Sequence, residues 1–115
     1  MNKRITSTQN AAHYTWGSQC DGWHLLRSDS LSVIQELMPP GTAEQLHYHE
    51  RAQQVFYILQ GTATFEVEEE TITVQQGQSI HITPKSRHRI LNNGDTDIHL
   101  LVISEPKAHG DRVNV

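Results

Sequence analysis

Apolar positions along the chain come in short runs, and the runs are rich in β-branched and aromatic residues. WHLLRS, LSVIQELM, QVFYILQ, TATFEVE, TITVQ, SIHIT, HRILN and IHLLVIS each read as a strand. No segment of ten or more residues sustains a 3.6-residue apolar period, so no helix is predicted. Turn chemistry separates the runs: Pro39-Pro40-Gly41, Gly61, Glu68-Glu69-Glu70, Gln76-Gly77, Pro84-Lys85-Ser86 and Asn93-Gly94-Asp95. The acidic step at 68–70 lies between two strand-like runs and predicts a solvated hairpin turn, and Asn93-Gly94 carries a two-residue hairpin signal. Strands recurring roughly every 8 to 12 residues predict an all-β chain folded as a sandwich, a small barrel or a two-sheet jelly roll.

Length and composition narrow this to one domain. The chain has 115 residues, 36% of them hydrophobic, with no internal repeat or linker. Residues 1–20 are polar and irregular up to Tyr14-Thr15-Trp16-Gly17. They are expected to form an N-terminal arm, packed on the barrel or on a second subunit or frayed, with residues 21–115 as the barrel. A formal charge of −4 with nine Lys plus Arg offers no basic surface for counterion release, which argues against nucleic acid and for a small-molecule ligand. No apolar stretch suits a secretory signal or a membrane span, and Cys20 alone forms no internal disulfide, so the expectation is a cytoplasmic protein without membrane contact.

Eight histidines are the compositional excess. His47 and His49 stand two apart, and on a strand residues i and i+2 share a face, so both imidazoles can aim at one point. Imidazole is the commonest metal-ligating side chain and suits zinc, iron, nickel and copper. Two histidines alone are weak grounds, and further ligands have to come from elsewhere in the chain.

The spacing around them resembles the cupin family, whose motifs run G-x5-H-x-H-x3–4-E-x6-G and G-x5-P-x-G-x2-H-x3-N. Gly41, His47, His49 and Gly61 fit the first motif, with Gln54 where the family has glutamate. Gly77, His88 and Asn92 fit the second, with Thr83 in place of proline and Lys85 in place of glycine. The resemblance implies a double-stranded β-helix of the jelly-roll type, a homodimer, and one divalent ion (Fe, Ni, Mn or Zn) held by His47, His49 and His88 with Gln54 as the fourth ligand. Gln53 is the alternative fourth ligand, since the family spacing tolerates three or four intervening residues; the six-residue count to Gly61 favours Gln54.

A neutral amide cancels none of the ion's charge. It should leave a stronger Lewis acid that attracts anions and binds its metal less tightly. If Gln54 faces the ion, Phe56 and Ile58 share its face and line a substrate pocket, to which His81 is a further candidate. No charged acid or base stands out beside the histidines, so the catalytic residues are unassigned. Among cupins, three-histidine iron centres resemble those of thiol and diketone dioxygenases. That makes dioxygen-dependent cleavage the most concrete expectation, beside a Lewis-acid isomerase or cyclase and a non-catalytic binding module. Asn92 is expected to fix backbone, while His13 and His109 are expected in solvent.

Overall fold

The computed structural model describes residues 2–115, and among these the chain forms eleven strands and no helix. They are β1 (Ala12–Trp16), β2 (Cys20–Arg27), β3 (Ser32–Met38), β4 (His47–His49), β5 (Gln53–Gln60) and β6 (Thr62–Val67), followed by β7 (Glu70–Gln75), β8 (Ser79–Ile82), β9 (His88–Leu91), β10 (Ile98–Glu105) and β11 (Arg112–Asn114). Two antiparallel sheets face each other. One has the order β1-β2-β3-β10-β5-β8 and the other β11-β4-β9-β6-β7. This is the all-β, double-stranded β-helical architecture expected. The three shortest or most polar elements, β1, β4 and β11, lacked an apolar run to announce them.

Strict alternation places the core. On β3 the residues Ser32, Ile34, Glu36 and Met38 are buried, and on β10 Ile98, Leu100, Val102 and Ser104, while their neighbours are half-buried. Between the sheets Phe56, Ile58, Phe65, Ile82, Ile90, Ile98 and Leu100 are almost wholly removed from water. The Phe56 and Phe65 rings meet edge-on with centroids 5.1 Å apart. The inward row is not apolar throughout: Ser32, Glu36, Gln54 and Ser104 interrupt it, so the interval between the sheets is part core and part polar cavity.

The turns differ in what stabilises them. Glu68 and Glu69 join β6 to β7 with φ of 47° and 71°, left-handed values that a two-residue hairpin requires and that a glutamate adopts at a cost. Glu68 offsets part of that cost: its N–H donates to the Arg87 carbonyl at 2.9 Å and its carboxylate accepts from the Arg87 N–H at 2.7 Å. The Asn93-Gly94 expectation is corrected. β9 and β10 belong to different sheets, so this segment crosses between them instead of closing a hairpin.

Asn92 holds that crossing. Its buried amide donates to the Met38 and Thr96 carbonyls, both at 2.9 Å, and its oxygen accepts from the Gly94 N–H at 3.0 Å. Asn92→Ala would leave the buried Met38 carbonyl unpaired and the exposed Thr96 and Gly94 groups to solvent, and should destabilise the chain by about 1–3 kcal/mol, read from the midpoint of urea denaturation at unchanged slope.

Candidate metal centre

β4 and β9 place the histidines. His47 lies directly opposite His88 in the β4–β9 ladder, and His49 follows on the same face of β4. All three are buried, and one potential ligand atom from each lies within 4.8 Å of the others. Two of the rings are oriented by backbone. The Nδ1–H of His47 donates to the Gln45 carbonyl and that of His88 to the Ser86 carbonyl, each at 2.8 Å, which leaves Nε2 of both rings as the nitrogen with a free lone pair. Such Nδ1 contacts to carbonyls are the usual support of ligating histidines. His49 has a buried Nδ1 with no partner among the described residues.

Gln54 enters from the other sheet. It is buried on β5, donates its amide N–H to Ser104 Oγ on β10 at 3.0 Å, and turns its Oε1 to within 3.2 Å of His88 Nε2. A neutral His88 would then present a lone pair to an amide oxygen, a contact that positive charge at that point would relieve. Turning the amide over would instead give His88 an N–H and let the Ser104 hydroxyl donate to the oxygen. Glutamine thus suits the site with or without an ion, whereas a glutamate could not donate.

Burial keeps all three imidazoles neutral. It lowers His47 to about 3 and His49 to about 4, assisted by the neighbouring imidazoles, and lowers His88 as well despite the Ser86 carbonyl. Neutral, desolvated, convergent imidazoles are the donor set a divalent transition ion takes, since nitrogens that share an ion at about 2.1 Å lie roughly 3–4 Å apart. The three-histidine group can therefore hold a metal ion.

A cavity of about 250 Å³ opens beside this cluster, bounded by His47, His49, Gln54 and Phe56. The Phe56 ring lies 6.0 Å from that of His88. Two pocket expectations are corrected. Ile58, one step further along the inward face of β5, is fully buried opposite Leu100 in the apolar core and does not line the cavity. His81 is on the outward phase of β8, exposed and bonded to Gln53 at 2.9 Å, because the register sets it against Val55 rather than Gln54. Gln53 is likewise outside, donating to Glu105 at 2.8 Å. His109, near the C-terminus, is exposed but borders the mouth of the cavity.

The sequence reading missed two carboxyl groups. Glu36 and Glu44 line the same cavity, with Arg112 at its edge. Burial pushes Glu36 up to about 8, reinforced by the charge of Glu44, and pushes Glu44 up to about 7 against the opposing pull of Arg112 and the Ile90 N–H. A signal for Glu36 was present: it occupies the inward phase of LSVIQELM, between Ile34 and Met38, where alternation predicts an apolar side chain.

Comparison with known proteins agrees with the architecture. The sequence profile of the family described as Cupin domain matches residues 34–104. An uncharacterised protein of Methanocaldococcus jannaschii is 32% identical over 81 residues, covering 70% of this chain and 65% of that protein, so the chain spans just under two thirds of that relative. An oxalate-binding protein of Thermotoga maritima is 30% identical over 85 residues, 70% of either chain. A solved structure of a predicted oxalate decarboxylase from Thermotoga maritima superposes with a TM-score of 0.82 over 90% of this chain and 99% of its own, at 20% identity, a likeness of fold.

The raised carboxyl groups give the metal-free chain a definite pH dependence. Glu36 keeps its proton in the folded state up to about 8, whereas the unfolded chain releases it near 4.5, so stability is full below the lower value and declines as pH rises through the upper one. The three imidazoles, lowered by burial, act with the opposite sign below about 6.5, so thermal melts should show the decline between about 6.5 and 8, at no more than about 1.4 kcal/mol per pH unit for a single group. Glu36→Gln should flatten it in that window and Glu36→Gln with Glu44→Gln should remove it there.

Proposed function

The chain belongs to the cupin family, and from that footing we propose that it is a metal-dependent enzyme acting on a small, oxygen-chelating organic molecule. The observation that carries this is the convergence of three buried, neutral imidazoles, two of them pinned at Nδ1 by backbone carbonyls, beside an open-mouthed cavity. His47, His49 and His88 would hold the ion, with Gln54 as a neutral fourth donor. When bound, the ion supplies Lewis acidity to a coordinated carbonyl or carboxylate group. The chain's own residues do the remainder. Ser104 fixes the face that Gln54 presents, Phe56 supplies an apolar wall, and the 250 Å³ cavity suits a small molecule. A compact chelator with adjacent oxygens fits this description, the class to which oxalate belongs, and a Thermotoga relative is named for binding oxalate.

Dioxygen-dependent cleavage at an iron centre rests on the neutral donor set alone. The Lewis-acid reading, an isomerase or cyclase on zinc, nickel or manganese, also has a carboxyl group beside the histidines, and it is preferred for that reason. The same group weakens the non-catalytic module, whose ground was the lack of any acid or base near the imidazoles.

The chain is further proposed to pair with itself. The outer face of the larger sheet carries Tyr57 and Leu59, 37% and 39% exposed, with half-buried Val33, Val55, Leu101 and Ile103 around them, an apolar surface that a second copy would cover. Sedimentation should report a dimer, and Tyr57→Glu should shift it to monomer.

Elemental analysis tests the centre directly. Wild type should carry close to one divalent ion per chain and His88→Ala almost none; equal content in the two would sink the assignment. Gln54→Glu adds a negative charge at the fourth position and should tighten metal binding by about tenfold, roughly 1.4 kcal/mol. Unchanged affinity would put Gln54 outside the set of donors.

A further inference from the structure

Tyr14, Gly22 and Glu36 stand side by side across β1, β2 and β3: Tyr14 pairs with Gly22, and Gly22 with Glu36. The glycine in the middle is what lets the outer two meet. A Cβ at position 22 would come within 2.3 Å of the Tyr14 ring, so only glycine leaves room for the ring to lie over β2. Across that gap the Tyr14 hydroxyl donates to Glu36 Oε2 at 3.3 Å. The other oxygen of Glu36 hydrogen-bonds to no described residue, and the side chain borders the cavity that His47, His49 and Gln54 also border.

The second carboxyl group is engaged differently. Glu44 accepts the Ile90 N–H at 3.3 Å on one oxygen, and its other oxygen lies 3.9 Å from the Arg112 guanidinium. Two carboxyl groups in one cavity with unequal partners take unequal protonation states. Glu44, beside the guanidinium, gives up its proton before Glu36, beside the tyrosine, does.

We propose that Glu36, held by Tyr14, is the proton-transfer residue of this cavity, exchanging its carboxyl proton with a carbon atom adjacent to a metal-held carbonyl group. In the donating direction the carboxyl O–H bond breaks, the electron pair of the substrate enolate forms the new C–H bond, and the charge ends on the Glu36 carboxylate. In the reverse direction the carboxylate removes that proton and the pair returns to the enolate. No oxidant or reductant is consumed. The substrate class is then an enolisable 2-oxo acid or a related chelating carbonyl compound.

The inference rests on the metal-dependent reading above. The titratable and charged groups that act on Glu36 are Tyr14 on β1, Cys20 on β2, Glu44 before β4 and Arg112 on β11, and His47, His49 and His109 border the same cavity. Burial, with the charge of Glu44, holds Glu36 near 8, close to where an acid and base working at neutral pH should titrate.

Pyruvate serves as the probe. Zinc-loaded protein in heavy water should exchange the pyruvate methyl protons, followed by NMR, with a rate that rises with pH as the Glu36 carboxyl group ionises. Glu36→Gln should slow exchange by about 100-fold or more at unchanged zinc content. Tyr14→Phe should retain zinc and move the rate profile to higher pH, because the hydroxyl favours the ionised carboxylate that it donates to. In the metal-free protein, the infrared carbonyl band of protonated carboxyl groups at neutral pH should weaken in Glu36→Gln.

Exchange at the wild-type rate in Glu36→Gln, a profile unmoved by Tyr14→Phe, or an infrared band unchanged by Glu36→Gln would each overturn the assignment. So would a zinc-loaded wild type that exchanges nothing, and that result would leave the metal centre standing. A wild type that takes up no zinc or other divalent ion would instead sink the metal reading and this inference with it, a distinction made by elemental analysis before any exchange is measured.

Discussion

The ladder that sets His47 opposite His88 is the constraint on which the pocket depends, because side chains alternate across a strand and a one-residue slip of β4 would turn its inward histidines outward. β4 has only three residues and a single paired position with β9. Its register is therefore kept from outside. β11 pairs along its whole length, Arg112 opposite His49 and Asn114 opposite His47. The buried carboxylate of Asp111 accepts the N–H groups of Arg51 and Ala52 at 3.0 and 2.9 Å, tying the C-terminal segment to the turn that follows the histidines. The last strand of the chain thus acts as the outer support of a site built from its middle.

Desolvation is the second determinant, and it acts with opposite sign on the two kinds of titratable group. The imidazoles lose their affinity for protons and keep lone pairs to donate; the carboxyl groups gain affinity, and Glu36 the more, so that it keeps a proton to give away. One low-dielectric cavity thereby prepares a Lewis base and a Brønsted acid side by side at neutral pH. The protonated carboxyl group would not survive exposure to water at neutral pH, so the wall of Phe56 and the apolar core beyond it help to hold that state.

Much of this was legible in the residues. Alternation in β3, β5 and β10 and the spacing of the turns were enough for an all-β barrel, and the i, i+2 histidines with the count to Gly61 singled out Gln54 over Gln53. What escaped had physical causes. β1 and β11 are strands by virtue of their partners and carry no apolar run of their own. Asn93-Gly94 has the composition of a hairpin, yet its flanking strands are drawn to opposite sheets, a long-range preference that no local signal records. His81 was assigned to the pocket from its place in the chain, while the β5–β8 register, which fixes its face, depends on pairing.

Glu36 teaches a different lesson, since its signal was a violation of the pattern that found everything else. A glutamate at an inward position breaks the alternation of β3, and a buried carboxyl group is costly enough that a fold retains one only with compensation nearby. Its compensation is specific: Tyr14 reaches it only because the intervening residue is Gly22, so three positions on three strands have to agree. Apart from the charge in β3, neither of its partners stands out in sequence, an aromatic on an edge strand and a glycine in β2. Their register turns the three into one device, and it borders the cavity that the histidines also border.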